Sequence, residues 1–163
     1  MEHAAPALFV ALEQSAFAAA IRQSIWIYPV ANVGHIVALA VFAGAVAIMD
    51  VRLLGGFAAS SPRIVIARAR RAAILALSGL ALTGFLLFAA EASHVIVNPV
   101  FLVKLALIGA GLANVAIYEL GARRAVESLA PGAAMPAAAR RAGYASLALW
   151  LLVAACGRTI AYL

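Results

Sequence analysis

Apolar residues along this chain gather into four long blocks, about residues 26–50, 72–94, 99–120 and 143–163, with polar punctuation concentrated at their ends. Each block has about the 20 apolar residues that a helix needs to cross the hydrocarbon core of a bilayer. The expected architecture is therefore all-α, an integral membrane four-helix bundle in a single domain. Ahead of the first block, Leu8, Leu12, Ser15 and Ala19 follow helical spacing, while Glu13, Gln14, Arg22 and Gln23 supply polarity. That pattern predicts a short helix over 7–22 lying on the membrane surface. Ser24 and Pro29 mark the turn into the first span, and Trp26 and Tyr28 stand where an interfacial aromatic belt forms. The leading segment does not read as a signal peptide, because no basic stretch precedes the apolar run Ala7–Leu12 and Glu13 cuts that run short. Between the third and fourth blocks, Pro131, Gly132 and Pro136 predict a loop over Leu129–Ala138.

Composition strengthens the membrane reading. Hydrophobic residues make up 67% of the chain, charged residues 11%, and the mean hydropathy is +1.07. Soluble domains are about half apolar and about a quarter charged. Disorder and nucleic-acid binding both need charge-rich surfaces and are excluded as primary roles. A single cysteine, Cys156, excludes a disulfide scaffold.

The net charge of +6 is unevenly placed. Arg52, Arg63, Arg68, Arg70 and Arg71 fall between the first two spans, and Arg123, Arg124, Arg140 and Arg141 between the last two. Cytoplasmic connections carry such an excess, so the expected topology has both termini outside, in a bacterial inner membrane. The lipid bilayer is then the primary partner. Gly79, Gly84, Gly109, Gly111 and Ala113 allow helices to approach closely, within one chain or between two copies of it.

Ionisable groups within a bilayer are costly, and each calls for a partner or a task. His35 lies six residues past Pro29, and Lys104 six past Asn98, so both are about 9 Å inside the outer end of a span. Arg158 stands close to the end of the fourth span, and Glu91 and His94 close the second. The expected cluster is therefore in the outer leaflet, with only Asp50 at the inner rim. His35 can offer a neutral imidazole to haem iron or satisfy a neighbouring helix. His94 is the candidate second ligand, or a wet loop residue. Lys104, Arg158 and Arg22 are candidate partners for haem propionates. Glu91 and His94 share a helix face, but a di-iron bundle needs a second such pair and further carboxylates. Glu91 is instead expected to pair with Arg158 or Lys104, and Asp50 and Arg52 to pair with each other, or with Arg70 and Arg71, in a structural clamp before a glycine stop. Copper bound by His35 and His94, with Cys156 nearby, is the alternative metal, without the methionine or cysteine clusters of a soft-metal conduit.

The string Ser24-Ile25-Trp26-Ile27-Tyr28-Pro29, followed by His35, Asp50-Val51-Arg52-Leu53-Leu54-Gly55 and Asn98-Pro99-Val100-Phe101-Leu102-Val103-Lys104, resembles a family of small four-span bacterial membrane proteins of unknown function. Through His35 and Lys104 alone, the chain is also similar to haem-binding membrane proteins of the protoporphyrinogen-oxidase type and to the copper-resistance membrane domain. The residues and these likenesses together lead to the expectation of a haem b module for electron transfer with a periplasmic redox or metal-handling partner. The alternatives are a non-catalytic subunit holding a periplasmic protein, and copper or small-solute handling. No substrate-binding signature assigns an enzymatic activity.

Overall fold

The structure, a computed structural model, describes residues 4–160. Among the described residues there are eight helices and no strand. Two short helices, α1 (Ala7–Glu13) and α2 (Ala16–Gln23), precede the first long one, α3 (Ile27–Leu53). Then come α4 (Pro62–Ala90), the single-turn α5 (Ala92–Ile96), α6 (Pro99–Gly121), the single-turn α7 (Arg123–Glu127) and α8 (Ala137–Thr159). α3, α4, α6 and α8 are long and apolar enough to span a membrane, as a multi-pass membrane protein requires.

The boundaries differ from the sequence expectation for identifiable reasons. The expected 7–22 helix is two helices, because Ser15 turns its hydroxyl onto the N–H of Ala18 and starts α2 afresh. α4 begins ten residues before the apolar block at 72, since Pro62 suits the first helical turn and arginines are good helix formers. It ends at Glu91, whose backbone leaves the helical region at φ −139°, so His94 belongs to α5 and not to the span. α6 starts where Asn98 accepts from the N–H groups of Val100 and Phe101. The fourth helix starts at Ala137, earlier than expected, and residues 161–163 of the expected span lie outside the described residues.

The four long helices run up and down, but the ring they form is not closed. α3 packs along α4 on one side and α8 on the other, and α6 packs along α8, whereas α4 and α6 make no comparable approach. Small residues make the close seams. A Cβ on Gly79 would stand 3.5 Å from Ala38, and one on Gly111 would meet the Trp150 ring at 3.0 Å. Gly109 faces open space and has no part in this packing. Trp150 also meets Phe42 edge-on, with ring centroids 4.6 Å apart. In lipid, such van der Waals fit between helices replaces the water-driven collapse of a soluble core.

The ends are capped differently. At the end bearing the termini, α1 and α2 lie against α4 and α5, with Ala18 and Ile21 buried. At the arginine-rich end, a tight turn joins α3 to α4. Gly55 takes φ +104°, and a Cβ on Gly56 would run into Val51. Both glycines of the stop are therefore required by the backbone.

Candidate functional site

The polar residues fall into two groups, one at each end of the bundle. At the terminal end, His35 of α3 faces α4, and its Nδ1 lies 2.9 Å from Thr83 Oγ1. The Thr83 hydroxyl has one proton, and it is directed at the Gly79 carbonyl, 2.7 Å away. Thr83 must therefore accept from His35, which places the imidazole proton on Nδ1 and leaves Nε2 as the bare lone pair. The packing depends on absent side chains: a Cβ on Gly84 would come within 3.2 Å of His35 Cε1, and one on Gly34 within 3.5 Å of Thr83.

Lys104 of α6 reaches the same level. A Cβ on Gly157 would stand 3.3 Å from its Nζ, and the ammonium is close enough to act electrostatically on His35 and on half-buried Cys156. The structure thus brings His35, Thr83, Lys104 and Gly157 together, one from each span. Two turns along α3 from His35, about 10 Å away on the same face, Tyr28 lines a cleft of about 340 Å³ with Arg22 and Glu91. Arg22 donates to the Ala90 carbonyl at 2.9 Å, which ties α2 to the end of α4.

Other expected members stand apart. His94 is exposed on α5 and acts electrostatically on Glu13, and among the described residues no hydrogen bond joins it to His35. Arg158 is exposed at the last turn of α8. Glu91 borders the cleft beside Arg22. The carboxylate that organises the cap is Glu13, which accepts from the Ser93 N–H at 2.7 Å and from the Ser93 hydroxyl. These bonds hold the Glu13 carboxyl below its ordinary range.

At the arginine-rich end the structure departs furthest from expectation. Asp50 and Arg52 do not pair, because residues two apart on a helix point to different faces. Arg52, only 1% exposed, crosses the turn and donates to the Ser60 carbonyl at 3.1 Å. Asp50, 2% exposed, turns toward Ser146 of α8. The ion pairs of the described residues use other groups. Arg70 Nη2 lies 3.0 Å from Glu119, and Arg123 bonds Glu119 at 2.9 Å and Glu127 at 2.8 Å. Arg123 lowers the Glu127 carboxyl from its ordinary range by hydrogen bonding. Glu119, Arg123 and Glu127 recur at four-residue spacing, which was a readable signal for a surface ladder. Nothing in the sequence placed Arg70 of α4 beside it.

Between this network and the bundle centre is a cleft of about 410 Å³, bordered by Asp50, Arg70, Asn114, Tyr118 and Ser146. Asp50 Oδ2, Tyr118 Oη and Arg70 Nε are buried there without a hydrogen-bond partner among the described residues. Each such atom costs about 1–3 kcal/mol, so three around one cleft call for an explanation. No group of three or more His, Cys, Asp or Glu side chains arranged to hold a metal occurs among the described residues.

The chain belongs to the DUF6644 family, a family of unknown function whose pattern matches residues 11–163. No curated protein and no solved structure matches it.

Proposed function

We propose that this DUF6644 protein is a membrane-embedded redox module that binds haem b near the face bearing its termini, with His35 as the axial ligand. The observation that carries the reading is the His35–Thr83–Gly79 relay. It fixes the imidazole tautomer and orientation through Nδ1 and leaves Nε2 as the coordinating lone pair, as metal-ligating histidines require. The donor set fits. An apolar setting surrounds a neutral imidazole, Lys104 lies beside it, and Arg22 borders the cleft two turns away on the same helix face, where propionates need cations. His94 has no part in this version of the site, so one protein ligand is assigned. Bound haem would supply one-electron chemistry, and the chain would set its potential through burial, the Thr83 bond and the Lys104 charge.

The arginine asymmetry supports an orientation with this end outside the cytoplasm, facing a periplasmic partner. The cap of α1, α2 and α5, where Leu8, Ile25 and Trp26 are largely exposed, supports the second reading, a non-catalytic subunit that holds such a partner.

An absorption spectrum of protein purified from haem-replete cells, air-oxidised and then dithionite-reduced, tests the proposal. A Soret band that is lost in His35→Ala is the expected result. A featureless spectrum, or a full haem complement in His35→Ala, would overturn it.

A further inference from the structure

The larger cleft, at the arginine-rich end, is unused by the haem reading. α3 and α8 form its back wall, and α4 and α6 flank it without closing on each other. Its mouth is edged by Ile74 and Val115, which are 57% and 40% exposed. Both lie within spans, so the mouth opens sideways, toward lipid. On the other side, Arg70, Glu119, Arg123 and Glu127 tie α4 to α6 and α7 and shut the cleft from the polar end.

We propose that this cleft binds the head group of a membrane-soluble quinol or quinone. A lateral mouth between two spans admits an amphiphile whose tail stays in the hydrocarbon. The charged lining consists of Arg70 and Arg123 against Asp50 and Glu119, formally neutral, which suits an uncharged head. A phosphate would meet guanidiniums whose charge Glu119 already offsets and would face the Asp50 carboxylate. The unpartnered atoms are of both kinds: Asp50 Oδ2 accepts, Arg70 Nε donates, and Tyr118 Oη does either. A hydroquinone hydroxyl donates to the first while its oxygens accept from the others. The remaining lining is largely apolar, including Met49 and Leu53, and suits a flat ring better than a sugar.

The site stands independently of haem. Asp50 lies fifteen residues along α3 from His35, about 22 Å away, so each assignment can fail without the other.

Trp150 supplies a reporter, one helical turn from Ser146. The chain has two tryptophans, and a Trp26→Phe background leaves Trp150 alone. Haem-free protein of that background, in phosphatidylcholine nanodiscs, is titrated with a benzoquinone bearing a decyl tail while Trp150 fluorescence is followed. Saturable quenching is expected. Tyr118→Phe should weaken it by about tenfold, the size of one buried hydrogen bond. Asp50→Asn, which removes the acceptor for a hydroquinone hydroxyl, should weaken binding of the reduced titrant by the same factor and leave that of the quinone no weaker. Val115→Phe, which narrows the mouth and leaves the polar atoms in place, should also weaken it and keeps the test open if Asp50→Asn does not fold. Quenching that rises linearly and equally in every variant would overturn the proposal. So would displacement of the quinone by equimolar phosphatidylglycerol, which would reassign the cleft to a phospholipid head.

Discussion

The two ends of the bundle solve the same problem differently. At the arginine-rich end, half-buried charges are held by an ion-pair network and Arg52 is sealed against the turn it braces, while Asp50 Oδ2, Tyr118 Oη and Arg70 Nε are left over around the cleft. At the terminal end, polar groups are held in isolated pairs, by one hydrogen bond from His35 to Thr83 and from Arg22 to Ala90, and by two from Ser93 to Glu13. The first arrangement is rigid and resists the loss of one member least where burial is deepest. The second leaves lone pairs and cations available at small cost, which suits a site that must accept a ligand.

That contrast predicts a graded response to substitution. The largest effect is expected from Arg52→Ala, which empties a volume in the arginine-rich end and should destabilise the protein by about 3 kcal/mol. Denaturation in mixed micelles measures it, and a loss below about 1 kcal/mol would show that the buried guanidinium is not a brace. Next comes the middle of the bundle. Gly111→Leu collides with Trp150 and should cost about 2 kcal/mol through overpacking, whereas Gly109→Leu faces open space and should be near neutral. Equal effects at the two glycines would remove the claim that α6 is positioned by Trp150.

Smaller again is Thr83→Val at the terminal end, about 1 kcal/mol for one lost hydrogen bond. Its sharper readout is the imidazole itself: nitrogen chemical shifts should show the Nδ1–H form in the parent and a mixture of tautomers in the variant. A parent already mixed would contradict the relay. The smallest effect is pH dependence at Glu13. Its carboxyl is lowered from 4.5 in the folded protein, so docking of α1 on α5 is fully supported above that value and is lost as pH falls through the lowered one. Amide exchange at Ser93 should accelerate, beyond its intrinsic rate, on acidification, and Glu13→Gln should abolish that dependence. An unchanged profile in Glu13→Gln would assign it elsewhere.

Much of the fold was legible because lipid simplifies the code. Long apolar blocks set the spans, and arginine clusters set which connections share an end. The convergence of His35 and Lys104 followed from helix rise alone. What remained hidden depended on rotation about each helix axis, which uniform apolarity conceals. In α3 apolar residues occur all round, so nothing in the sequence could show that Asp50 turns to α8 while Arg52 turns to the loop. Thr83 was invisible as the partner of His35 for the same reason, although a lone threonine amid aliphatic residues is a polar group in need of an explanation. That His94 falls on α5 and not on the span was hidden because Glu91 ends α4, a break that no proline or glycine announces.

The unequal seams of the bundle also carry information about its making. α3 with α4, and α6 with α8, are each antiparallel neighbours in sequence, and the two pairs meet chiefly where α8 touches α3. The chain is therefore two helical hairpins, each able to satisfy its own backbone within the bilayer as it emerges. The gap between α4 and α6 is what remains when the second hairpin docks by one edge only. A molecule lodged there would act as a clasp between separately inserted halves, so occupancy of the cleft and completion of assembly would be one thermodynamic event.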